Sequence, residues 1–159
     1  DFMVGNVFGG GLKGSASLSI TETMQYLVEL SFKDMDIDRF VKDFELTDKL
    51  YMDGEISGEL TLEGKGSDVR VLTGDFKTAL GGGKLIIKDT RLLENIAQGA
   101  NQPVDLIVDS FKNYHYNTGA IGISLSGKDI MLDMAFDGEI GKRNLTITLH
   151  DILPKKEGL

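Results

Sequence analysis

The residues of this chain best suited to chemistry are few and scattered. In "DMDIDRFVKDFE", Asp34, Asp36 and Asp38 take the first, third and fifth positions of a twelve-residue window and Glu45 the last, the ligand spacing of a calcium-binding loop. Arg39 holds the sixth position, where that loop's sharp turn wants Gly, and Lys42 the ninth. The apolar spacing of Ile37, Phe40, Val41 and Phe44 instead predicts a helix capped by Asp36 or Asp38. Nucleophilic catalysis is poorly supplied: there are two histidines, no Cys and no Gly-x-Ser-x-Gly elbow. His150 ends a strand pattern in "TITLHD" on its outward parity, and His115 sits between Tyr114 and Tyr116, where packing or an interface is the default role. Two histidines in unrelated segments make no zinc site. "GGGLKGSAS" lacks the phosphate-loop spacing and runs on as a strand, and "NLT" at Asn144 fits a glycosylation sequon that arises easily by chance. The sequence therefore reads as non-enzymatic, with no metal and no cofactor.

Composition narrows the partners. A net charge of -8 with acidic residues spread along 159 positions argues against nucleic acid, which needs a basic patch or stripe. Lys155 and Lys156, beyond Pro154, read as a solvated tail. The lack of Cys allows either redox compartment. No apolar run approaches the roughly 20 residues of a spanning helix. Opening at "DFMVGNVFGG", the chain has the look of a mature domain or an excised piece.

The elements that would position any site are strands. Period-two alternation sets Leu12, Gly14, Ala16, Leu18 and Ile20 against Lys13, Ser15, Ser17 and Ser19. It recurs with Tyr26, Val28, Leu30 and Phe32, and with Gly54, Ile56, Gly58, Leu60, Leu62 and Gly64, whose opposite parity is Glu55, Ser57, Glu59, Thr61 and Glu63. Ile130, Leu132, Met134, Phe136 and Ile140 share another face, and "GKRN" reads as the turn to a last strand with Leu145, Ile147 and Leu149. Gly-rich breaks at 9–11, 64–68, 81–83 and 126–129 favour short hairpin links. Besides the helix near Ile37, "TRLLENIAQ" reads as a helix capped by Thr90, while "PVDLIVDSFKN" fits either helix or strand. "MDGEI" and "FDGEI" echo each other, each with an Asp-Gly where a strand bends easily. The fold class is mainly β: a curved antiparallel sheet, a groove or half-barrel with two or three helices packed on it.

Two stretches carry a family resemblance: "MDGEISGELTLEGKGSDVRVLTGDFKTALGGGKLIIKD" and "SFKNYHYNTGAIGISLSGKDIMLDMAFDGEI". The first resembles the Gly-rich strand pair, and the second the Asn-aromatic-x-Tyr segment with two following strands, of the AsmA-like and TamB-like proteins of double-membraned bacteria, most of all the C-terminal region of the YdbH type. The resemblance spans residues 52 to 140. It implies that residues 1–159 form one β domain, a C-terminal fragment of an elongated periplasmic protein anchored in the inner membrane. Such proteins are associated with phospholipid movement between membranes, and the family has no catalytic residues to carry over. The implied partners are phospholipid, neighbouring β modules of the same chain, or an outer-membrane lipoprotein. The lipid lining expected on this reading is Leu30, Phe32, Ile56, Leu60, Leu62, Leu132, Met134 and Phe136, with Gly14, Ala16, Gly54 and Gly58 leaving room for acyl chains. The same face would serve as the core of an ordinary sandwich or helix-covered sheet, and an interaction domain pairing through an exposed edge is the competing function.

Overall fold

The computed structural model describes residues 2–89, 91 and 103–150. In chain order the elements are β1 (Phe2–Val7), β2 (Gly10–Ile20), β3 (Met24–Asp36), α1 (Ile37–Asp43), β4 (Leu50–Met52), β5 (Glu55–Lys65), β6 (Asp68–Thr78), β7 (Gly83–Ile87), α2 (Val104–Phe111), β8 (Tyr114–Ser126), β9 (Asp129–Gly138) and β10 (Gly141–Leu149). The fold is mainly β, with ten antiparallel strands in one open, slightly curved sheet and two short described helices. The helix expected from Thr90 through Leu92, Leu93 and Ile96 lies outside the described residues, as does the tail at Lys155.

Eight strands lie side by side in the order β1, β2, β3, β5, β6, β8, β9, β10. Along the edge of β8 that β6 occupies at residues 120–123, β7 takes over at residues 114–116, and β4 pairs with β7. Register fixes what each face carries, because residues directly opposite across a ladder share a face. One continuous row reads Leu12, Phe32, Gly58, Phe76, Ile121, Met134, Leu145, and the next reads Gly14, Leu30, Leu60, Gly74, Ile123, Leu132, Ile147. A row on the other side reads Lys13, Ser31, Glu59, Asp75, Gly122, Asp133, Thr146. One side of the sheet is thus apolar from end to end and the other polar.

"PVDLIVDSFKN" forms a helix: half-buried Val108 and buried Phe111 stand three apart and share a face, while Asp105, Leu106 and Asp109 point to water. The last hairpin turns at Glu139–Ile140, earlier than "GKRN", since Gly138 pairs with Gly141 and the latter holds φ 93°, which suits Gly alone. Ile140 consequently sits 54% exposed in the turn and leaves the apolar face. α1 begins where expected, with Asp36 Oδ1 accepting from the Asp38 N–H at 3.0 Å. Its buried positions are Ile37 and Val41, whereas Phe40 and Phe44 stay on the surface and cluster with Phe8, ring centroids 4.5 to 6.2 Å apart.

Candidate functional site: a one-sided apolar sheet

All eight residues expected to line the apolar face stand on that one face, brought there by the register of β3, β5 and β9. They divide into two zones. At one end the face is covered by α1, α2 and the β4–β7 pair, and there Ile56 and Phe136 are buried at 8% and 2% exposure, packed with Val41, Met52, Leu85, Phe111, Tyr114 and Tyr116. Phe32, Leu60, Leu132 and Met134 border this core, half-buried. Leu30 and Leu62 lie beyond it, half-buried and outside the packed cluster, and past them Leu18, Ile20 and Met24 are 60%, 76% and 44% exposed at the tip of the β2–β3 hairpin. The apolar surface therefore runs out of the core and into solvent.

The glycines on this face do not leave vacant room. A Cβ on Gly14 would lie 2.6 Å from Leu30 Cδ2, on Gly58 2.6 Å from Phe76 Cδ1, on Gly74 2.9 Å from Leu60 Cδ1, and on Gly119 2.6 Å from Phe136 Cδ1. Each glycine is overlaid by a large cross-strand neighbour, which lies flat against bare backbone. Gly54 is likewise crowded by the Tyr116 hydroxyl at 2.6 Å. The expectation of space at Gly14, Gly54 and Gly58 is corrected: the pairing yields a smooth, shallow surface. Two hollows of about 300 and 340 Å³ are lined chiefly by side chains of the polar face, Lys13, Glu29 and Glu59 around one and Gln25, Glu63 and Arg70 around the other.

The covered end is fastened by a group that sequence reasoning passed over. From sequence Asp53 reads only as half of a bend-prone Asp-Gly pair. Its Oδ1 accepts from the Lys84 N–H at 2.7 Å, its Oδ2 from the Tyr51 hydroxyl at 2.7 Å, and its backbone carbonyl from the Tyr116 hydroxyl. Burial pushes the Tyr116 phenol well above the ordinary tyrosine range, with the Asp53 charge adding to it, and burial likewise raises Tyr114, whose hydroxyl donates to the Gly141 carbonyl at 2.8 Å. Both tyrosines are neutral hydrogen-bond donors at any physiological pH.

Asp34 donates its N–H to Ser57 Oγ at 2.9 Å, Asp36 caps α1 and Asp38 pairs with Lys42, so the calcium-like spacing is taken up by the strand end and helix start. Among the described residues no group of His, Asp and Glu is arranged to hold a metal. His115 is exposed between two buried tyrosines, and His150 stands at the end of β10 with Nδ1 2.9 Å from Asp129 Oδ2. No helix among the described residues is long and apolar enough to cross a membrane.

The described residues form a single open sheet, polar on one side and apolar on the other, whose described helices cover only part of the apolar side, the class of one-sided β-sheet proteins. The chain belongs to the YdbH-like family, that of the intermembrane phospholipid transport protein YdbH, whose profile matches residues 3–140. No curated protein and no solved structure matches the chain. Membership implies intermembrane phospholipid transport, an envelope location and lipid as ligand, and such families are generally non-enzymatic.

Proposed function

We propose that this chain is a module of an envelope-spanning periplasmic protein, anchored in the inner membrane, that holds phospholipid acyl chains on the open part of its apolar face. The observation that carries this reading is the continuity of that face across the seven strands from β2 to β10 while the described helices cover one end of it. Leu30, Phe32, Leu60, Leu62, Leu132 and Met134 form the contact surface, and Ile56 and Phe136 support it from the packed end. Each acyl CH₂ that leaves water contributes about 0.8 kcal/mol, so a smooth surface holds a chain without polar contacts and lets it slide.

The test is to purify the protein without detergent and measure bound phospholipid by mass spectrometry. Leu30→Glu with Leu62→Glu should cut the bound lipid at least about tenfold with the circular dichroism spectrum unchanged. Val4→Glu, a change on the polar face at a residue 73% exposed, should leave it unaltered. Lipid absent from the unaltered protein overturns the reading. A second function is favoured by a separate observation: among the described residues β1 and β10 each pair on one side only, an arrangement suited to strand addition by a neighbouring module or an outer-membrane lipoprotein.

A further inference from the structure

The covered end of the apolar face is closed by a weakly attached piece of sheet. β7 joins β8 through three residue pairs, and β4 joins β7 through three, whereas β5 and β6 share ten. Both strands leading into the pair are interrupted: Asp53–Gly54 separates β4 from β5, and residues 79–82 separate β6 from β7. The two breaks lie side by side, a Cβ on Gly54 falling 3.0 Å from the Gly82 carbonyl oxygen. Gly54, Gly81 and Gly82 hold φ of 114°, 101° and 61°, conformations that a chain with side chains rarely adopts, so both breaks are made of permissive backbone. Beneath the pair the packing is apolar and incomplete, with a cavity of about 30 Å³ between Met52, Leu85 and Ile87 on one side and Met134, Leu145 and Ile147 on the other. The Asp53 carboxylate and the Lys49 carbonyl fasten β4 to β7 at its two ends, and the Asp53 backbone carbonyl, accepting from the Tyr116 hydroxyl, fastens the pair to β8.

We propose that the β4–β7 pair is a hinged clasp over the end of the apolar face, latched by the Tyr116 hydroxyl on the Asp53 carbonyl, and that its opening extends the acyl-chain path between β4–β7 and β9–β10. The second half of this statement rests on the lipid reading above; the first does not. A short ladder, glycine hinges at one level and an apolar underside are the features of a unit that opens without unfolding the rest.

The chain has no cysteine, so one introduced thiol reports opening cleanly. In the intact protein, Leu85→Cys is 3% exposed when the clasp is shut and should react with a maleimide at a rate nearly independent of low urea concentrations. Adding Tyr116→Phe, which removes the hydroxyl that reaches the Asp53 carbonyl, should raise that rate about tenfold or more. If Leu85→Cys fails to fold, Met52→Cys, on the facing strand, makes the same measurement. A rate that follows global unfolding in its urea dependence, or that ignores Tyr116→Phe, overturns the clasp. In parallel, phosphatidylglycerol vesicles carrying a pyrene-acyl lipid are mixed with protein whose Leu50→Cys and Ile147→Cys thiols are joined by a bifunctional maleimide. Pyrene uptake lower than in the unjoined protein supports the path under the clasp, and equal uptake overturns it. No uptake by either form, with thiol opening still observed, removes the lipid reading and leaves the clasp standing.

Discussion

Tyr116 shows how much one side chain settles. It is buried against Phe136, ring centroids 5.1 Å apart, and its hydroxyl reaches across the sheet to the Asp53 carbonyl. Tyr116→Phe keeps the ring and removes the donor, and should lower stability by about 1–2 kcal/mol in urea unfolding. Its titration gives a second expectation. The folded-state phenol is held above its unfolded value near 10, so its stabilisation is complete below about pH 10 and is lost as pH rises further, because the unfolded chain gives up its protons first. Urea midpoints should fall from pH 9 to pH 11, and less steeply in Tyr116→Phe. Little of this was legible beforehand. "NYHYN" announces aromatics, but Asp53's main partners are backbone groups of β7 and a tyrosine 63 positions away, and residue type says nothing of backbone partners.

At the scale of elements, alternation was the reliable signal. The parities of β2, β3, β5 and β9 were read correctly because one face is wet and the other apolar, which specifies register strongly. Turn chemistry was harder: "GKRN" looked like the hairpin loop, yet two residues at Glu139–Ile140 suffice. The helix at Ile37 was foreseen, but with seven residues it buries only the Ile37–Val41 stripe, and Phe40 and Phe44 remain for Phe8. The glycines separate by position in a way no composition discloses. Gly58→Ala, with Phe76 and the Asp75 backbone in the way, should cost about 1–3 kcal/mol. Gly11→Ala meets nothing within 4 Å in the interior of β2 and should stabilise by about 0.5–1 kcal/mol. Paired denaturation curves of these two variants check both.

Over the whole molecule, packing is lopsided. The core gathers where α1, α2, β4 and β7 meet the sheet, and thins toward the β2–β3 tip. Hydrogen exchange should follow, with amides of β8 near Ile121, between β6 and β9, protected most and those near Ile20 and Met24 least. Fold class and the presence of an apolar face were legible because both follow from periodicity. Where the helices would sit, and hence which stretch of that face stays open, depends on three-dimensional docking that periodicity does not encode.

The polar side has its own consequence for handling the protein. Glu29, Glu59, Glu63, Asp75 and Asp133 stud the back of the sheet, in a chain whose isoelectric point is about 4.7. Mutual repulsion between those backs opposes the stacking of one sheet's back on another's. Acidified toward that point, a clear preparation should turn turbid, as the brake on stacking disappears before the strands themselves come apart.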